Sequence, residues 1–283
     1  MKLKKLLKHD FVIEFRSHLV TEFEDKLFVS ALRNYCSYPN PLRFNNFAFA
    51  MRELLRHVLN RKAPDAKVNK CIWFSPTLDD SEKANRGQKL KYCMQAGLQD
   101  HLLSEAVRNN IKNYIAEYQE HIETLNSFAH VGEATYGLEP KKAYQKLKEV
   151  ILTFNEAMEI LESGKEEVLS YIPEKLSDYV ENALVEEIPN SLDELSTHTV
   201  IDYVEFNGFQ VMDIDESFIY IRGESTVHVA LQYGSSSDRR KGEGATINDS
   251  FPVYFQCKSK ASKPKGAFVV KDSIEVSTES WWQ

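Results

Sequence analysis

The chain has 283 residues, 42% of them hydrophobic and 27% charged, with 11 Gly and 9 Pro. That balance excludes a disordered or fibrous protein and gives room for one large domain or two ordinary ones. The formal net charge of −7 argues against broad coating of nucleic acid, so any RNA or DNA site must be a local basic one.

The opening "MKLKKLLKHDF" has the basic start of a signal peptide, but His9, Asp10 and Glu14 interrupt the apolar run that should follow. No later segment offers the roughly 18 uncharged apolar residues of a membrane span. A cytoplasmic protein without a membrane partner is expected. From Asp10 to about Asn40, apolar residues recur at every fourth position, from Phe11 and Phe15 to Ala31 and Tyr35, which predicts one long amphipathic helix. "SYPNP" ends it, because proline cannot continue an interior turn. A second helix is expected over Leu42–Arg61, with Phe44, Phe47, Met51, Leu54, Leu55 and Val58 on its buried side.

After the loop "KAPDAKV" comes an irregular crossing anchored by Trp73, with a helix start near Asp79 to Ser81. Helices follow over about Glu82–Gln95, Asn109–His130, Lys141–Ser163 and Glu166–Glu187, the last with a kink or break at Pro173. At about Thr197 the apolar period changes from 3.6 to 2. "FNGF" and "DES" read as hairpin turns, and "SFPVYFQCKSKA" and "AFVVKDSIEVST" as two further strands. The expected fold is α+β: an all-α bundle over residues 1–196 and a small antiparallel sheet over 197–283, joined at "EEIPNSLDELS". Cys36, Cys71, Cys93 and Cys257 stand singly, so neither a zinc site nor a disulfide framework is signalled, and no metal or cofactor is expected.

Three stretches carry candidate chemistry. In "MRELLRHVLNRKAPD", Arg52 and His57 flank the apolar stripe of the second helix on opposite sides, about 140° apart on a helical wheel. The spacing fits the Arg-x4-6-His signature of HEPN ribonucleases, helical bundles that assemble a composite site in a dimer cleft. Cleavage of RNA by the neighbouring 2′-hydroxyl needs a proton acceptor near neutral pKa, which histidine supplies, and a fixed cation for charge developing on the phosphate, which arginine supplies. The bland alternative is a solvated helix edge. In "HIETLNSFAHVGEATYGL", Asn126 and His130 lie four apart at a helix end, where the macrodipole favours an imidazolium and Asn126 could orient it; a capping histidine is the other reading. In "NRGQKLKYCMQAGL", Arg86 and Lys89 share a face that Tyr92 joins, with Lys91 beside them, an arrangement suited to a phosphate and a base or simply to solvent.

Taken together, "FAMRELLRHVLN", "CIWF", "NRGQKLKYCMQAGL", "LNSFAHVG" and "LQYGSSSDRRKGEGATINDSFPVYFQ" with a closing tryptophan resemble, in order, the predicted nucleases associated with prokaryotic PIWI-type proteins. The resemblance runs from about Phe28 to Trp282. It implies a role in defence against phage or other foreign nucleic acid, with a HEPN-like helical part and a β-rich part. It further implies catalytic roles for Arg52 and His57, with Asn126 and His130 supporting, RNA as substrate, a homodimer, and a PIWI-type or helicase/nuclease partner.

In the β-rich part, Arg239, Arg240 and Lys241 follow Asp238 in a polar stretch that could cradle a phosphate or form a mobile hairpin tip. A metal-dependent nuclease can be drawn instead, with Asp213, Asp215 or Glu216 as carboxylates and Gln256 and Lys258 downstream. A third reading is a non-catalytic module that grips a nucleic acid or partner through Arg86, Lys89 and the Arg239–Lys241 cluster.

Overall fold

The computed structural model describes residues 2–76, 83–192, 198–242, 244–264, 266 and 268–277, without the side chains at 185–191, 198, 236, 239 and 268–272. Helices α1 (Leu3–Leu6), α2 (Asp10–Ser17), α3 (Glu22–Tyr35), α4 (Arg43–Lys62), α5 (Asp65–Val68), α6 (Arg86–Gln95), α7 (Glu105–Ala129) and α8 (Pro140–Leu192) come first. Strands β1 (His198–Ile214) and β2 (Phe218–Tyr233), helix α9 (Ser236–Lys241), and strands β3 (Ala245–Lys260) and β4 (Phe268–Val276) follow. The fold is α+β. The helix start expected near Asp79 to Ser81 and the closing tryptophan lie outside the described residues, as does residue 193 onward of the expected junction. No helix among the described residues is long and apolar enough to cross a membrane.

Two compact units divide the chain. One comprises Met1–Asn69, Phe74–Gln95 and Leu103–Glu167; the other comprises Lys70–Trp73, Ala96–Leu102 and Val168–Gln283. The core of the helical unit is aromatic. Phe15 meets Phe28 and Phe154 edge-on at 4.7 and 5.1 Å, and Phe44 meets Phe128 at 6.0 Å, spacings at which ring edges face ring faces favourably.

The single helix expected over Asp10–Asn40 is two. Thr21 caps α3: its hydroxyl accepts from the Glu24 amide while the Glu24 carboxylate accepts from the amides of Thr21 and Val20. This reciprocal box satisfies amides that a continuous helix would have bonded internally, so the chain starts a new helix although the apolar spacing carries on. Conversely, the two helices expected over 141–163 and 166–187 are one, α8, which runs through both Gly164 and Pro173. At Gly164 a Cβ would stand 2.7 Å from Met94 Cγ, so the glycine admits close approach of α6 rather than ending a helix. On either side of Pro173, Val168, Ile172, Leu176, Val180 and Leu184 are all buried at intervals of four. That stripe holds the helix together across the hydrogen bond the proline cannot make.

In the other unit the strands form an antiparallel meander in the order β1-β2-β3-β4. Ile219, Ile221, Val227, Val229 and Leu231 of β2 alternate with exposed or half-buried residues, as do Phe251, Val253, Phe255 and Cys257 of β3, so one face of the sheet is the core. A cavity of about 260 Å³ is lined by Ile172 and Leu176 from α8 together with Ile219 and Pro264. "DES" is the β1–β2 turn, as expected: Asp215 Oδ1 accepts from the amides of Ser217 and Phe218. "FNGF" is not a turn. Strand β1 continues through it with a register shift between Phe206 and Gly208, whose φ is +121°. Across the ladder at Gly223, a Cβ would sit 2.6 Å from the Gly208 carbonyl oxygen and 2.5 Å from Phe255 Cζ. The Asn-Gly pair therefore supplies a bulge where the sheet is tightly stacked.

Candidate nucleic-acid cleft

Three helices of the helical unit enclose a cleft of about 640 Å³. Helix α4 contributes Arg52 and Arg56, one turn apart, with Asn60 a turn further on. Lys83 precedes α6, which contributes Arg86 and Lys89, and α7 contributes Tyr118, Ile122 and Asn126 at intervals of four. Glu53 and Asp65 are the carboxylates among the lining residues, against five cations. A locally positive cleft therefore exists on a chain whose net charge is −7.

The cations are held differently. Lys89 is 7% exposed, and its ammonium lies 2.9 Å from Asp65 Oδ1 and 2.6 Å from Asn60 Oδ1. Burial works against the Asp65 charge, but hydrogen bonds from Lys89 and the Ala84 amide outweigh it and hold that carboxyl below its ordinary range. This pair is structural, because Lys89 arrives already neutralised. Arg52 and Arg56 share Glu53, at 3.2 and 3.0 Å, and the Arg52 guanidinium lies over the Phe49 ring at 4.9 Å. Arg86 makes no ion pair with the described residues. Helix α6, whose positive end opens here, has no acidic residue in its first turn, and its amides are capped instead by the Asn85–Gln88 exchange at 2.8 and 2.9 Å.

Tyr118 forms part of the wall, and sequence reasoning missed it. Its hydroxyl is fully buried and has no hydrogen-bond partner. Burial pushes its pKa well up and Cys93 adds to this, while Arg86 nearby opposes it. The group is a protonated donor, not a base.

The candidate residues are distributed unequally around this cleft. Arg52, Arg86, Lys89 and Asn126 meet in it. His57 does not line it: its ring packs against Phe23 at 4.8 Å, with Nε2 3.9 Å from Glu24 Oε1, and its side chain is 44% exposed. Glu24 itself is buried and accepts from Arg61 Nε at 2.6 Å, so the charge beside His57 is already matched. The imidazole of His130 is exposed, and the residue's carbonyl does the bonding, accepting from Asn45 Nδ2 at 3.2 Å and Thr135 Oγ1 at 2.9 Å. Tyr92 is 7% exposed, and neither it nor Lys91 lines the cleft.

Arg240 and Lys241 lie in the other unit on α9, a short helix where a loop was expected, closed by Asp238 accepting from the Ser235 amide and hydroxyl. The Arg239 side chain lies outside the described residues. Asp215, a candidate metal ligand, is used by its turn and by Tyr220, whose hydroxyl donates to it at 2.7 Å; that bond pushes the Tyr220 pKa up to about 12. Lys258 lies over the Phe218 ring at 4.8 Å. Among the described residues no three His, Cys, Asp or Glu side chains cluster as metal ligands would.

Comparison with known families gives two matches with one description, predicted pPIWI-associating nuclease: one over residues 16–154 and one over residues 161–282. Every residue of the cleft falls within the first. No curated protein and no solved structure matches the chain.

Proposed function

Because the chain belongs to the family of predicted pPIWI-associating nucleases, we propose that it is a defence nuclease that holds the phosphate backbone of RNA in the α4–α6–α7 cleft. The carrying observation is the convergence of Arg52, Arg56, Lys83, Arg86 and Lys89 around a cleft with only two carboxylates. Such a set neutralises successive phosphates, which is how affinity for a polynucleotide arises on an otherwise acidic protein. Arg52 steadies the charge that develops on the phosphate, and Asn126 positions the strand from α7.

In the ribonuclease reading, His57 takes the 2′-hydroxyl proton. The 2′-oxygen then attacks phosphorus, the 5′-oxygen leaves with a proton, and a 2′,3′-cyclic phosphate and a 5′-hydroxyl result. His57 leaves α4 away from the cleft of its own chain, so this chemistry requires a homodimer in which the partially exposed His57 of one protomer faces Arg52 of the other. The PIWI-type partner supplies the trigger. A second reading is a grip without cleavage, favoured by one observation: none of the described residues lining the cleft is a histidine.

Incubating a single-stranded RNA with wild-type protein, Arg52→Ala and His57→Ala tests the proposal. Cleavage with a cyclic phosphate terminus in wild type alone supports it. Binding that needs Arg52, with no cleavage under any triggering condition, supports the grip.

A further inference from the structure

The Tyr118 hydroxyl is the feature of the cleft that the protein itself does not explain. A buried hydroxyl without a partner forfeits the hydrogen bond it had with water, and folded proteins seldom leave one so. The position was free to be phenylalanine, since the ring fills the core between Val107, Ile111 and Ile122 along the same helix. Around the hydroxyl, the charges are equally unbalanced: Arg86 acts on it directly, Lys83 precedes the same helix, and the positive end of α6 carries no carboxylate. Cations gathered at a helix N-terminus repel one another and the dipole alike. An orphaned donor and unbalanced cations call for the same missing group, an anion with several acceptor oxygens.

We infer that the wall of the cleft at Tyr118 is a seat for one phosphate group, an internal phosphodiester of the bound RNA strand, with the Tyr118 hydroxyl donating to a non-bridging oxygen and Arg86 pairing with its charge. This rests on the reading of the cleft as a nucleic-acid site and adds the residue that selects a tetrahedral anion over a merely negative surface. Tyr118 is a binding and positioning residue, since it transfers no proton.

The test uses the full chain and fluorescence anisotropy with three probes: a single-stranded RNA with hydroxyls at both ends, the same strand with a 5′-phosphate, and inorganic phosphate as competitor. Tyr118→Phe is expected to weaken binding of the first strand about tenfold, the worth of a hydrogen bond to a charged group. The same variant without ligand is expected to melt about 2 °C or more above wild type, because the orphaned hydroxyl is gone. A merely structural tyrosine would not show those opposite signs. Unchanged RNA affinity in Tyr118→Phe overturns the seat and leaves the cleft standing. Unchanged affinity in Arg86→Ala and Arg52→Ala overturns the cleft itself. If only the 5′-phosphorylated strand or inorganic phosphate responds to Tyr118→Phe, the assignment to an internal diester is overturned.

Discussion

Lys89, nine-tenths buried in the wall of the cleft, is paired with Asp65 at 2.9 Å and with Asn60 at 2.6 Å. Asp65 therefore anchors a cation whose charge is spent on the fold, and the attraction left for a ligand comes from Arg86, Lys83 and the Arg52–Arg56 couple that shares Glu53. Asp65→Ala, which strands the ammonium, is expected to cost about 2–3 kcal/mol. Lys89→Met, which removes the charge and keeps the stem, should cost less. Urea melts of the two variants give the comparison; equal losses would mean that the pair is not what holds Lys89.

Glu24 links the start of α3 to Arg61 near the end of α4. Burial raises the pKa of this carboxyl, but the hydrogen bonds from Arg61, Thr21 and Val20 outweigh it and leave the value below the ordinary range. A depressed folded pKa contributes stability that is complete above the unfolded value and disappears as pH falls through the folded one. Melting temperature should therefore drop on the acid side, below about pH 4, where an unfolded Glu begins to protonate. Glu24→Gln should flatten that slope and cost about 2 kcal/mol at neutral pH by leaving Arg61 unpaired.

The break between α2 and α3 depends on the same carboxylate and on Thr21. Thr21→Ala removes the acceptor for the Glu24 amide and is expected to destabilise by about 1 kcal/mol. Thr21→Ser should retain most of that. A Thr21→Ala melting curve superimposable on wild type would show that the cap contributes nothing.

Arg52 and His57 separate two experimental signatures. With Arg52 in the cleft and His57 against Phe23, Arg52→Ala should weaken RNA binding, while His57→Ala should abolish cleavage with little change in affinity. The cleavage in wild type should also depend on protein concentration if the imidazole comes from a second copy. Loss of binding in His57→Ala with the fold intact would contradict this division.

The α-to-β change near residue 197 was legible because it is local: the period of the apolar residues shifts within the strands themselves. So was α4, found within one residue at each end. The errors arose where two local signals competed. Thr21-x-x-Glu24 is a readable capping box, but the uninterrupted apolar spacing across it suggested one helix. "FNGF" has the composition of a tight turn, yet the packing at Gly223 and Phe255 turns it into a bulge, which only the neighbouring strands can specify. The cleft was half legible. Arg52, Arg86, Lys89 and Asn126 stood out as polar residues, but their convergence depends on how α4, α6 and α7 pack. Tyr118 sits in the apolar stripe of α7 and reads as core; nothing in sequence tells that its hydroxyl lacks a partner.

The most direct measurement of the central claim is the affinity of a single-stranded RNA as a function of salt, for wild type and for Arg86→Ala. Three unbalanced positive charges imply a log–log slope of about −2, since a single strand contributes about −0.7 per phosphate neutralised. Arg86→Ala should weaken binding and make the slope shallower by about 0.7. A wild-type affinity that ignores salt, or a slope that Arg86→Ala leaves unchanged, would contradict the assignment of this cleft as the nucleic-acid site.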